Sequence, residues 1–209
     1  MRAKSKRRLG LAMVMAGLLL AAAGIGLGAY NLWDNGRAGD QAGGVMETII
    51  QYRQEQAETP PVYQPDPVAE TPVPDMPVVW IDGYDYLGAL AIPALDIELP
   101  VMADWSYDRL KTAPCRYAGS VYEDDMIVCA HNYAAHFGRL KNLLAGDLVV
   151  FTDMNGGEFL YEVAEVETLA PTAIEEMESG DWELTLFTCT LGGQTRVTVR
   201  CHSLEDSDI

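Results

Sequence analysis

The chain has 209 residues, enough for one ordinary domain with attachments, and a net charge of −17 from 31 acidic and 14 basic side chains. Five of the basic residues (Arg2, Lys4, Lys6, Arg7 and Arg8) precede every acid, which leaves nine basic against 31 acidic residues from Leu9 onward. A surface this acidic excludes nucleic acid as a partner, because phosphates demand a basic footprint.

Residues 1–8 form the basic cluster, and Leu9 to Trp33 follows without a single charge, rich in Leu, Ala and Gly. About 20 apolar residues suffice to cross a bilayer, so segment 9–33 reads as a single-pass anchor. The basic cluster predicts a cytoplasmic N-terminus with the remainder outside the cell, and Tyr30 and Trp33 fall where interfacial aromatics belong. A cleaved signal peptide is the alternative, with Ala21-Ala22-Ala23 as a small-residue cleavage site. Signal cores are usually shorter, and that cut would leave Gly24 to Trp33 as an apolar terminus.

Asp34 to Gly44 is polar and glycine-rich and predicts a flexible exit from the membrane. Val45, Ile49 and Tyr52 recur at helical spacing, extended by Met46 and Ile50, so residues 34–58 are expected to contain a short amphipathic helix ending near Glu58. It packs on the following domain or serves only as a stalk. Residues 59–77 hold seven of the 11 prolines, a composition that favours a semi-rigid polyproline spacer.

The domain itself is expected over 78–202, with a polar tail at 203–209. Leu87 to Pro93 and Ile97 to Val101 read as strands turned by Ala94 to Asp96. Tyr107 to Thr112 suggests a short helix, Asp125 to Ala130 a strand ending at His131, and Phe137 to Leu144 a short helix closed by Gly146. Asp147 to Thr152 and Glu158 to Leu169 are strands joined through Met154-Asn155-Gly156-Gly157, and Trp182 to Cys189 and Thr195 to Cys201 complete the set. Many short strands with turn signals and few helices predict a mainly β domain, a closed or nearly closed barrel.

Four cysteines, Cys115, Cys129, Cys189 and Cys201, contain no C-x-x-C pair, and only three histidines are present, so zinc and thioredoxin-type readings lack support. The informative cysteine is Cys189. Leu184 to Cys189 and Arg196 to Val199 flank a Gly192-Gly193 turn, a hairpin signal. With Leu191 to Gln194 as the loop, Thr190 faces Thr195 and Cys189 faces Arg196, at the separation of directly opposed residues. A guanidinium there favours thiolate and can hold an oxyanion. A half-buried structural cysteine beside an edge arginine fits that spacing equally well. Thr185, Phe187 and Cys189 share one strand face and Leu184, Leu186 and Thr188 the other, without deciding which face builds core.

The run Thr185-Leu186-Phe187-Thr188-Cys189 with Arg196 seven residues later resembles the T-L-x-T-C…R signature of sortases, the cysteine transpeptidases of Gram-positive surfaces. Upstream, Met126 to Asn132 supplies a histidine after a strand, followed by His136-Phe137-Gly138-Arg139-Leu140. The resemblance covers about Tyr86 to Cys201. It implies a barrel of seven to eight strands, with Cys189 as nucleophile, His131 as acid–base and Arg196 as oxyanion stabiliser. It places Thr188 and Asn132 at substrate. His136 is expected to be exposed at a helix start, His202 solvated in the tail, and Arg200 too far along the strand to serve Cys189.

The resemblance further implies that secreted proteins carrying a C-terminal sorting signal are cleaved through a thioacyl intermediate and transferred to a cell-wall peptidoglycan precursor amine. His131-Asn132 with Phe137-Gly138 is similar to class B, yet only about twelve residues, Ala170 to Asp181, stand where that class has a long inserted helix. Pilin-polymerising relatives carry an Asp-Pro-aromatic lid, whereas Asp66-Pro67 is followed by Val68, so anchoring is favoured over polymerisation. No cofactor is expected. Glu123, Asp124 and Asp125 with Glu175, Glu176 and Glu178 form acidic clusters where some sortases hold calcium, but most such runs are solvated. A non-catalytic peptide-binding barrel and a thiol redox protein using Cys129 are the rivals.

Overall fold

The computed structural model describes residues 2–58 and 75–204. It divides into two compact units, Met1–Arg37 and Ala38–Ile209. The first is helical from Arg2, belongs to helix α1 (Arg2–Glu58), and contains a stretch long and apolar enough to cross a membrane, none of it buried. Asp34 and Arg37 pair at 2.8 Å, an i,i+3 contact that supports the helix through residues expected to be flexible.

That expectation for Asp34 to Gly44 is overturned: the whole stretch is helical. Glycine weakens a helix by about 1 kcal/mol per residue, but burial outweighs it here. In the second unit Ala38, Ala42, Val45, Met46 and Ile49 are buried against the barrel wall. A Cβ on Gly39 would lie 3.1 Å from the Ala135 Cβ, so the small residues allow the backbone to approach closely. Arg53 adds a 2.5 Å hydrogen bond to the Thr152 carbonyl. The amphipathic stripe at Val45 and Ile49 thus packs on the strands, within the compact unit that runs from Ala38. The proline-rich segment lies outside the described residues except for 75–77, as does the tail beyond Leu204.

Among the described residues nine strands follow: β1 (Val79–Ile81), β2 (Tyr84–Ile92), β3 (Ile97–Met102), β4 (Cys115–Ala118), β5 (Met126–Ala130), β6 (Leu148–Asp153), β7 (Glu158–Leu169), β8 (Leu184–Cys189) and β9 (Arg196–Ser203). Their order is β1-β2-β3-β4-β5-β8-β9-β7-β6, and a β2–β6 pairing closes β2 to β9 into an eight-stranded barrel. Closure removes the unpaired edges an open sheet would expose. Two pairings are parallel, β3–β4 and β5–β8, and the rest are antiparallel.

The interior holds Leu90, Val128, Phe151, Leu184, Leu186 and Val199. A second apolar layer on the outer wall joins Ile49 of α1 to Tyr86, Met102, Cys115 and Cys129 and reaches Phe187. The face that carries Cys189 is therefore the outer one, while Leu184 and Leu186 build the core. The helices expected at Tyr107 to Thr112 and Phe137 to Leu144 are single 3-10 turns, Arg109–Lys111 and Leu140–Asn142. Both segments are too short to propagate an α-helix, and a close turn at Gly138 interrupts the second. Helix α2 (Ile174–Glu178) has five residues and occupies the stretch before β8.

Candidate active site

The register of three adjacent strands brings the site together. Ala130 pairs with Thr188 across the parallel β5–β8 ladder, so His131 follows at the level of Cys189. Cys189 pairs with Arg196 across β8–β9, the pairing expected from the Gly-Gly turn. The turn is closed by the Thr190 N–H donating to the Thr195 carbonyl at 3.0 Å, with the two threonine hydroxyls 3.0 Å apart. Gly192 and Gly193 take φ of 82° and 71°, the left-handed region that side chains resist.

Cys189 is partly exposed at the strand end and is a free thiol, as are Cys115, Cys129 and Cys201. Those three are buried, and burial raises all three thiols, Cys115 and Cys201 to about 12. Nucleophilic chemistry requires thiolate, so the strand-end cysteine is the one placed for it. Cys129 lies directly opposite Cys115 on β4–β5 and also lines the groove beside Cys189.

His131 is half-buried, and Asn132 brackets its Nδ1. The Asn132 backbone N–H donates to Nδ1 at 3.0 Å, and the Asn132 Oδ1 lies 3.2 Å from the same nitrogen. One donor and one acceptor therefore serve Nδ1 in either protonation state. Asn132 thus holds the imidazole by its Nδ1 edge. Thr188 lies beneath the site. It is buried on the core face, and its hydroxyl donates to the Ala130 carbonyl at 2.9 Å, bracing β8 against β5 beneath the site.

One other expectation changes, that for His136. His136 is fully buried, not exposed, because the turn after His131 folds it inward beside Ala38, and burial lowers its pKa to about 4. His202 lies on β9, where its Nδ1 is 3.0 Å from Glu183 and its ring 4.7 Å from Trp182. Arg200 is buried and does not reach the site. It donates to Glu167 at 2.8 Å, to Thr185 at 3.1 Å, and to the carbonyls of Met177 and Glu176 at 2.8 and 2.6 Å. Those last two bonds pin α2 over the outer face of β8.

Pinning α2 shapes a groove of about 270 Å³ that ends at Cys189 and Arg196. Its walls include Trp105, Tyr117, Ile174, Met177 and Phe187, with Tyr117 and Phe187 meeting edge-to-face at 5.3 Å. A mostly apolar groove leading to a cysteine suits an extended peptide with apolar side chains. Sequence reading missed these wall residues. Trp105 and Tyr117 come from irregular loop and strand-end positions with no periodic signal. Among the described residues no cluster of three or more His, Cys, Asp or Glu could hold a metal ion.

The family described as Sortase domain matches over residues 90–204. Among solved structures, sortase C1 from Streptococcus suis is similar at 26% identity and a TM-score of 0.50, covering 57% of this chain and 73% of that one. Sortase C1 from Streptococcus agalactiae is similar at 25% identity and a TM-score of 0.50, covering 57% and 68%. Sortase C from Clostridium perfringens shares the fold over 81% of this chain and 91% of that one, at 22% identity and a TM-score of 0.51. No curated protein matches the chain.

Proposed function

Because this chain belongs to the sortase family of cysteine transpeptidases, we propose that it cleaves a C-terminal sorting signal of secreted proteins on Cys189 and transfers them to a cell-wall peptidoglycan precursor amine. The observation that carries this reading is the meeting of His131, Cys189 and Arg196 at the adjacent ends of β5, β8 and β9.

The Cys189 thiolate attacks the scissile carbonyl, and the negative charge moves to the oxygen, where the Arg196 guanidinium receives it. The C–N bond then breaks as His131 gives its Nε2 proton to the departing amine, leaving a thioester on Cys189. The acceptor amine loses its proton to the now neutral His131 and attacks the thioester, and the thiolate leaves. Atoms balance without a cofactor. The apolar groove holds the acyl half during both steps, and the helical segment 9–33 tethers the enzyme with its catalytic domain outside the cell.

The test is capture of the thioester. Incubation of the full chain with a library of sorting-signal peptides, followed by acid quench and mass spectrometry, should show an acyl adduct on the peptide that carries Cys189. A Cys189→Ala protein that still cleaves the peptides overturns the assignment. The topology has its own check. External protease on intact cells should remove the barrel and spare the N-terminus, whereas spontaneous release of the whole domain supports a cleaved signal.

A second reading, pilin polymerisation, is favoured by the likeness to the sortase C1 structures at 25% and 26% identity. The acceptor decides it. Transfer to a short peptidoglycan-type amine supports anchoring, and transfer only to a lysine of a pilin subunit supports polymerisation.

A further inference from the structure

One side of the His131 imidazole is occupied by a ring that the chemistry above does not use. Tyr133 stacks on it with centroids 4.3 Å apart and planes 11° apart. The Tyr133 ring meets His136 edge-on at 5.5 Å and 68°. The turn that carries all three is closed on itself, with the His136 and Gly138 N–H groups donating to the Tyr133 carbonyl at 3.0 and 2.9 Å. A Cβ at Gly138 would lie 2.5 Å from the Asn132 carbonyl oxygen and 2.8 Å from that of Tyr133, so only glycine permits this turn. Phe137 and Leu140, both fully buried, anchor the turn in the core.

We propose that Tyr133 is a positioning residue for His131, holding the imidazole plane through its ring face and stabilising the imidazolium that protonates the leaving amine. The inference rests on His131 as the acid–base group. An aromatic face attracts a cation, and a stacked pair restricts ring rotation, so the contact both orients and charges the imidazole. Asn132 fixes Nδ1 from the edge, and Tyr133 fixes the plane. Together they leave the ring little freedom other than to present Nε2.

His136 supports this arrangement from behind. It is wholly buried. Burial holds it neutral, the Ala38 backbone opposes this, and the charge on His131 reinforces it. A neutral ring therefore backs Tyr133, and no second cation competes with the one forming on His131.

The experiment compares wild type with Tyr133→Phe and Tyr133→Leu in the full chain, by steady-state kinetics on a cleavable peptide and by imidazole proton NMR. Tyr133→Leu should lower kcat about tenfold with KM little changed, the scale expected of one ring pair. Tyr133→Phe keeps the ring and should restore most of kcat. In the NMR arm, the upfield ring-current displacement of the His131 protons should persist in Tyr133→Phe and vanish in Tyr133→Leu. The proposal is overturned if folded Tyr133→Leu keeps wild-type kcat, or if Tyr133→Phe is as impaired as Tyr133→Leu. The NMR arm decides the stacking even if His131→Ala retains turnover, an outcome that would remove the acid–base reading instead.

Discussion

Cys189 and Arg196 face each other across the β8–β9 pair, yet the guanidinium of Arg196 donates to the carbonyl oxygens of Gly193 and Thr195, both at 3.2 Å. The fork rests on its own hairpin turn, and stabilising a charge on the Cys189 side requires it to leave those carbonyls. Arg196→Ala should therefore leave the fold intact and lower kcat/KM by about 10²–10³, the usual loss for one oxyanion donor. Arg196→Lys keeps the charge without the planar fork and should recover only part.

Arg200→Ala makes the control informative. Sequence spacing puts Arg200 four residues further along and predicts a mild effect on rate. Its buried bonds to Glu167, Thr185 and two carbonyls of α2 predict a loss of about 3 kcal/mol in stability, because partners are left unsatisfied. Denaturant midpoints should fall for Arg200→Ala and hold for Arg196→Ala, while kcat/KM at a temperature where both are folded should show the reverse order. Equal rate losses in the two folded variants would mean the oxyanion arginine has been misassigned.

How far this site was legible follows from which forces set it. The Gly-Gly turn and the alternating residues around it fix the hairpin register locally, so the Thr190–Thr195 and Cys189–Arg196 pairings could be read from spacing. His131 could be placed at a strand end but not beside Cys189, because the parallel β5–β8 ladder joins segments nearly 60 residues apart in sequence. His136 was misread because polarity suggested exposure, whereas Phe137 and Leu140 draw the turn inward. The helix through Asp34 to Gly44 was missed because glycine content argued against it, while its small residues are what allow it to pack.

The docking of that helix can be tested by truncation. A chain beginning at Val78 lacks Val45, Met46 and Ile49, all buried against the barrel. Its thermal midpoint should fall well below that of a chain beginning at Ala38, and Ile49→Ala alone should cost about 2–5 kcal/mol as a fully buried side chain is removed. Equal midpoints for the two truncations would show that the helix contributes nothing to the domain.

His136 gives the protein an acid-sensitive core. Its folded pKa, lowered to about 4 by burial, lies below the ordinary 6.5 of the unfolded chain. Between those values the unfolded state binds the extra proton, so stability rises with pH through this window and is lost as pH falls from about 6.5 toward 4. The full loss, reached below both values, is on the order of 3 kcal/mol relative to neutral pH. His136→Phe keeps a ring against Tyr133 and cannot titrate. Other groups titrate in the same range, so the quantity to measure is the difference between wild type and variant in urea midpoint at pH 7 and pH 4.5. The gap should widen in favour of His136→Phe at the lower pH, and a constant gap would refute the assignment.

The four free cysteines make the last prediction, since only one of them should react. Cys115, Cys129 and Cys201 are buried, and burial pushes each thiol upward, so at pH 7.5 almost none is thiolate or reachable by solvent. Cys189 is partly exposed, lines the groove and pairs with Arg196 across the strands. Alkylation follows thiolate content and access. Brief treatment of the folded chain with iodoacetamide should therefore add a single carbamidomethyl group, located by peptide mapping on the peptide that carries Cys189, and should abolish turnover in parallel. Cys189→Ala should take up none in the same time, and urea should expose the remaining three. Prior incubation with a sorting-signal peptide that acylates Cys189 should protect it. If Cys129 were labelled as fast as Cys189 in the native chain, the groove would be delivering reagent to the wrong sulfur, and a redox pairing of those two cysteines would become the better reading.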